Sequence, residues 1–249
     1  MADDEGYLLD NRQGEAGRRF DAFAELFDPV TFRRLAALGI AAGWRVWEVG
    51  AGGPSVPAWL ARQVGPEGRV LATDIDTRWL GGIPGVEVLR HDVGTEPAPA
   101  GTFDLVHARL LLVHVPNRDE ALAQLVSALR PGGRLVVEEA DPPLQPLVCL
   151  EDRGPAEQRA NRLKSGFRRL LADRGVDLAY GRTLPRRLRD RLIAAGIATS
   201  QEIDEHLVAV AGGTLDLATS PMITAWGRRA DPGLGAERHA PRPGRPIAA

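Results

Sequence analysis

The sequence predicts an α/β fold, a mostly parallel sheet with helices on both faces, and three observations carry that reading. First, Arg45 to Asp76 reads as strand, glycine turn, helix, strand, an order that a right-handed β-α-β crossover satisfies. Second, short β-rich apolar runs recur at Val86 to Arg90, Phe103 to His107 and Arg134 to Glu138, separated by turn residues or helical periodicity. Third, Gly50, Gly52 and Gly53 follow the first strand and the acids Asp74 and Asp76 close the second. A single domain is expected from the length of 249 residues.

Taken in order, residues 1–14 read as a flexible polar N-terminus, and residues 15–43 as a helical cap. Apolar residues at Phe20, Phe23, Ala24 and Phe27, then Phe32, Leu35 and Leu38, keep helical spacing with a break at Asp28-Pro29, so two helices are expected there. Val46 to Val49 is the first strand. Ser55 is placed to cap a helix from Val56 to Val64, where Pro54 and Pro57 fall before or within the first turn and Gly65-Pro66 stops it. Arg69 to Thr73 is the second strand. Asn117 with Glu120 resembles a capping box ahead of Ala121, Leu122, Leu125, Val126 and Leu129, and Pro131-Gly132-Gly133 ends that helix before the fifth strand.

Beyond it, Gln158 to Ala172 is amphipathic, with Leu163, Phe167, Leu170 and Leu171 on one face and Gly175 as C-cap. The arginines from Arg182 to Arg191 read as a solvated helix face. Thr199 and Glu202 open a helix through Val210, and Met222 to Gly227 is the last strand. The main domain therefore spans 44–227, and the proline-rich residues 228–249 read as a disordered tail.

A strand, glycine turn and helix hold a nucleotide-like cofactor beyond the strand ends, with an acid about 20 residues on for the ribose hydroxyls. Asp74 occupies that place. Glu48, two residues before the first glycine, would repel a pyrophosphate and suits a cofactor carrying an ammonium and a sulfonium. Ser55 also stands where a dinucleotide fingerprint has its third glycine. The net charge of -2 leaves no electrostatic footprint for nucleic acid. The single cysteine, Cys149, makes no internal disulfide, and no cysteine-histidine cluster calls for zinc. No apolar run reaches bilayer length and the N-terminus lacks an apolar signal region, so a soluble cytoplasmic protein is expected. Glu138, Glu139 and Asp141 crowd one strand end; without a second acidic cluster at matched spacing they are read as solvated, with no metal.

The motifs V-W-E-V-G-A-G-G, L-A-T-D-I-D, H-D-V, F-D-L-V-H-A-R and L-R-P-G-G-R-L-V-V-E-E, in that order, resemble those of class I S-adenosylmethionine-dependent methyltransferases, close to the UbiE-like and methyltransferase type 11 or 25 groups. The resemblance is firm over Arg45 to Asp141. It implies the Rossmann-like methyltransferase sandwich, S-adenosyl-L-methionine as cofactor and a small-molecule methyl acceptor. Glu48, Gly50, Gly52, Asp74, Ile75, Asp92, Val93 and His107 are then the cofactor contacts, with Asp92 on the adenine amino group. Tyr7, Phe20 and Arg109 become acceptor contacts, Arg109 toward a carboxylate or phosphate, and His114 the candidate general base, on the ground that imidazole titrates near neutral pH.

Between Leu184 and Ile197 the chain runs T-L-P-R-R-L-R-D-R-L-I-A-A-G where the resemblance implies a further strand. The C-terminal strands are thus expected to be reduced, with the exposed sheet edge covered by a helix or by a second copy in a homodimer. Three functions stay open at this point: methyl transfer, a binding or regulatory protein on the same scaffold without turnover, and an NAD-dependent oxidoreductase.

Overall fold

The computed structural model describes residues 14–141, 154–184, 187, 199–201 and 222–228. Its elements are α1 (Ala16–Ala37), β1 (Arg45–Val49), α2 (Ser55–Val64), β2 (Arg69–Asp74), β3 (Val86–Arg90), β4 (Phe103–Arg109), a 3-10 turn (Leu112–His114), α3 (Arg118–Ser127), β5 (Leu129–Ala140), α4 (Pro155–Asp173) and β6 (Met222–Arg228). The six described strands form one sheet in the order β3-β2-β1-β4-β5-β6. The first five run parallel and β6 pairs antiparallel with β5, Ala140 opposite Met222 and Arg134 opposite Arg228. This is a Rossmann-like α/β sheet whose order reverses beside β1. The crevice at that reversal opens above β1 and β4.

Alternation along the central strands explains why both faces are covered. Val46, Leu105 and Val136 point to the side packed by Leu35 of α1 and by Val56, Leu60 and Val64 of α2. Their neighbours Trp47, Val106, Leu135 and Val137 point to the opposite core, with Leu122 and Leu125 of α3, Tyr180 and Leu184. Burying one such aliphatic side chain contributes about 1.5–3 kcal/mol, so the two cores dominate the stability.

Several local expectations are corrected. The cap is one helix, since α1 runs through Pro29; losing one backbone bond there is offset by burial of Phe27, Thr31 and Leu35 and by Phe32 stacked on Trp59 at 4.7 Å. Ser55 is the first residue of α2 and makes no cap bond, and Asn117 caps α3 without a side-chain bond. The strand span of β5 takes in Pro131-Gly132-Gly133, because Leu129 already pairs with Phe103 before a register shift.

The arginine-rich segment is not wholly solvated. Arg182 binds the buried Asp141 through Nε at 2.7 Å, and Arg187 Nη1 lies 2.7 Å from Asp119. On α4 only Leu171 is buried. The shortened stretch from Leu184 to Ile197, the helix expected from Thr199 to Val210, Tyr7 and the tail lie wholly or mostly outside the described residues. Among the described residues no helix is long and apolar enough to cross a membrane.

Candidate active site

At the carboxyl ends of β1, β2, β3 and β4 the fold encloses a cavity of about 440 Å3. One wall is the turn Gly50–Gly53 with Asp74 and Ile75. A second is His91 to Thr95 after β3, a third Leu110, Leu111 and His114 to Asn117 after β4, and Arg19, Phe20 and Phe23 of α1 close over it.

The turn is shaped by close approach on both sides. Gly50 has φ 63° and Gly52 φ 61°, the left-handed region that favours glycine. A Cβ on Gly50 would come within 2.6 Å of Leu111 Cδ1, and one on Gly52 within 2.6 Å of Phe20 Cε1. Gly52→Ala is therefore expected to lower the melting temperature by about 5 °C and to weaken cofactor binding at least about tenfold, since left-handed strain of about 1–2 kcal/mol adds to displacement of Phe20. A melting scan paired with calorimetry of the same sample checks both effects.

Asp74 is nearly buried, and its two oxygens accept from Gly52 N and Asp76 N, each at 2.9 Å. Burial pushes its pKa up, and the backbone donors of Asp76 and Gly52 oppose that rise. Each carboxylate oxygen has a second lone pair, so acceptor capacity is left toward the cavity. Next to it Ile75 stays 48% exposed, an apolar surface at the cavity edge. The Asp92 carboxylate, also in the lining, accepts from Gly94 N and Thr95 Oγ1, both at 2.9 Å, which fixes the turn after β3.

The cavity thus brings together Gly50, Gly52, Asp74, Ile75, Asp92 and Val93 from the expected cofactor set, with Phe20, Arg109 and His114 from the expected acceptor side. It does not bring in Glu48 or His107. Both are buried under the floor, where His107 Nδ1 donates to Glu48 Oε2 at 2.6 Å and His107 Nε2 lies 3.4 Å from Glu138 Oε2. Burial disfavours the charged ring, but Glu48 and Glu138 outweigh it and raise the His107 pKa to about 9. Glu48 is therefore matched by an imidazolium. Its carboxylate is paired beneath the turn and does not line the cavity as the sequence led one to expect.

The same polar layer ties α1 down. Thr31 Oγ1 donates to Glu138 Oε2 at 2.5 Å and accepts from Arg109 Nη1 at 3.1 Å, and Arg109 Nη1 lies 2.8 Å from the buried Asp28. Arg109 lines the cavity with its charge already met by Asp28. Alternation on β4 carries Leu105, His107 and Arg109 to the α1 side, so the position was open to sequence reasoning. Asp28 was not, because next to a proline it reads as a helix break.

His114 also departs from expectation. Burial, and then Arg118, lower its pKa to about 4. The ring is neutral near pH 7 and a weak base. The carboxylates at the end of β5 part company: Glu138 joins His107 and Thr31, Glu139 accepts backbone N–H groups, and Asp141 holds Arg182. Among the described residues no group of acids, histidines or cysteines is placed to hold a metal. Leu111 and Arg174 are lining residues that sequence reading missed; Leu111 sits in an apolar run without a clean period, and Arg174 is far away in the chain.

Residues 47–137, from β1 into β5, match the family model described as a methyltransferase domain. They form a methyltransferase domain. The domain resembles the ubiquinone/menaquinone biosynthesis C-methyltransferase UbiE of Hahella chejuensis, 32% identical over 120 residues that cover 44% of this chain and 48% of that protein. The UbiE of Pseudomonas putida is 33% identical over 120 residues, covering 44% and 47%. The chain spans about half the length of the curated relatives it matches. A solved S-adenosylmethionine-dependent methyltransferase from Aquifex aeolicus aligns at 24% identity over 62% of this chain and 82% of its own, with a TM-score of 0.43, too loose a likeness to carry an argument.

The cavity fits the S-adenosylmethionine that the sequence motifs imply as cofactor. Gly50, Gly52 and Gly53 bring backbone to the lining, Asp74 has free acceptor capacity, and Ile75 offers an apolar face.

Proposed function

We propose that the chain transfers the methyl group of S-adenosylmethionine to a small-molecule acceptor by in-line displacement. The observation that supports this most is the division of the cavity: glycine turn and carboxylates toward β2 and β3, apolar wall and aromatic cover toward β4 and α1. The bound cofactor supplies a methyl group activated by its sulfonium. Gly50 and Gly52 admit its amino-acid end, Asp74 takes the ribose hydroxyls, and Ile75 and Val93 flank the base beside Asp92. Phe20 and Phe23 exclude water from above, and Leu110, Leu111 and Val115 form the acceptor wall.

Arg109, held by Asp28 and Thr31, shapes that wall more than it supplies free charge. The neutral, weakly basic His114 orients an acceptor by a hydrogen bond. Alignment and water exclusion are then the main sources of rate, which suits acceptors needing no strong base.

Calorimetric titration of the full chain with S-adenosylmethionine and S-adenosylhomocysteine tests the reading. Both are expected to bind; absence of binding by a folded chain overturns it. Methyl transfer from labelled cofactor across a panel of small phenols, amines and carbon acids then separates catalysis from binding alone.

A further inference from the structure

We propose that Glu139 is a positioning residue, whose buried carboxyl group fixes the cavity wall from Leu110 to His114 against the Gly50 turn. The assignment rests on reading the cavity as the cofactor and acceptor site. Glu139 lies on the face of β5 opposite Glu138, fully buried, and takes no part in the His107 layer. Its Oε1 accepts from Leu111 N at 3.1 Å and Leu112 N at 2.5 Å. These amides begin the 3-10 turn, where a helix leaves its N–H groups without an internal partner.

The residue just before them is under constraint. Leu110 has φ 55°, and no other described non-glycine residue has a positive φ. A leucine stays in that region only when its surroundings hold it. Here Leu110 N donates to Glu138 O at 2.7 Å, so consecutive residues of β5 grip consecutive residues of the segment. What they position is plain from the cavity: Leu110, Leu111 and His114 line it, and Leu111 packs on Gly50.

A carboxyl group is an expensive way to fill a core position. Its second oxygen, Oε2, has no hydrogen-bond partner among the described residues, and neither has the hydroxyl of Tyr180 in the same core. The charged and titratable groups acting on it are Arg118 on α3 and Tyr180 from the helical residues 180–184. Burial raises the Glu139 pKa to about 8, against the amides of Leu112, Leu111 and Val113 and the charge of Arg118. Near pH 7 it is therefore mostly a neutral acid whose carbonyl oxygen accepts the two amides. Glutamine reproduces that form; alanine and leucine remove the acceptor.

The test compares Glu139→Gln, Glu139→Ala and Glu139→Leu by hydrogen exchange at the Leu111 and Leu112 amides and by calorimetry with S-adenosylhomocysteine at pH 7. Glu139→Gln is expected to match wild type within about twofold, while loss of both amide bonds in Glu139→Ala weakens binding about tenfold and speeds exchange about tenfold at these amides, with β1 and β2 unchanged. Glu139→Leu keeps the volume and serves should the alanine chain not fold. Wild-type exchange at Leu111 and Leu112 in the leucine or alanine chain overturns the proposal, as does a glutamine chain that behaves like them. If wild type itself fails to bind S-adenosylhomocysteine, the cofactor reading falls, while the exchange comparison still decides the role of Glu139.

Discussion

Asp74→Ala is expected to weaken S-adenosylhomocysteine binding by about 100-fold or more while leaving the chain folded. The carboxylate does two jobs at once. It accepts Gly52 N and Asp76 N at 2.9 Å each, which sets the turn against β2, and as a lining residue it is the acceptor proposed for the ribose hydroxyls. A hydrogen bond to a charged group contributes about 1.5–3 kcal/mol, so losing two ribose bonds alone reaches two orders of magnitude or more. The freed Gly52 amide adds loss of order in the turn.

Asp74→Asn keeps the shape and one acceptor oxygen, so its loss is expected to be smaller, about tenfold. Acid also enters, because burial raises the Asp74 pKa. Affinity therefore falls with acidification sooner than an ordinary aspartate would impose. Calorimetry across pH, with melting scans as a control for folding, reads all three effects; wild-type affinity in Asp74→Ala would sink the assignment.

The cavity owes its legibility to features that are local in the chain. Gly50 to Asp76 contains turn, helix and acid in one crossover, so Asp74 could be placed beside the cavity before any coordinates, though its bond to Gly52 N could not. The same holds for the strand ends at Asp92 and Arg109. The parallel strands were legible too, because each is a separate apolar run, and the crossover rule gives the first pair its hand; their order in the sheet comes from the structure. What failed were statements about charge and burial across the sheet. Glu48 was read as a cofactor contact because it stands two residues before the first glycine; in the fold its carboxylate pairs instead with His107 on the adjacent strand, its register partner. His114 was read as a candidate base although its L-V-H-V-P run is apolar; the burial that lowers its pKa was thus partly legible, whereas the nearby Arg118 belongs to tertiary structure.

Asp28-Pro29 gave the opposite error. A proline in helical spacing is a sound stop signal, yet α1 continues because Asp28, Thr31 and Leu35 are all buried against the sheet. The stop signal and the salt bridge to Arg109 share a residue, and only the fold shows which one prevails. Glu139 was invisible for a related reason. In a run of acids at a strand end, nothing local tells the residue that binds backbone amides from its neighbour that meets an imidazolium.

His107→Gln is expected to destabilise the protein by about 3 kcal/mol near pH 6.5 and to make its stability fall less steeply from there to pH 9. In wild type the ring stands between Glu48 and Glu138 with its pKa raised to about 9. The unfolded chain releases that proton near the ordinary value of about 6.5, so between the two pH values the folded state holds more protons and stability falls as pH rises. The contribution is complete below pH 6.5 and gone above pH 9; a shift of about 2.5 units corresponds to about 3 kcal/mol. Glu139, with its pKa raised to about 8, works in the same direction over a lower window, from about pH 4.3 upward. Substituting His107 should thus halve the slope where the two windows overlap, between about pH 6.5 and 8, abolish it from there to pH 9, and leave it unchanged below pH 6.5.

Glutamine keeps hydrogen bonding but supplies no charge, and two buried carboxylates then repel each other with Arg34 near Glu138 as the remaining cation. The damage should not stop at stability. Glu138 holds Thr31, Thr31 meets Arg109, and Arg109 holds Asp28, so α1 loosens as a unit and takes Phe20 off the Gly52 turn. Urea unfolding at pH 6, 7.5 and 9, with cofactor affinity measured alongside, checks both consequences. A variant as stable as wild type at pH 6 would show that the ring is neutral in the folded chain and that the polar layer is held by Thr31 and the arginines alone.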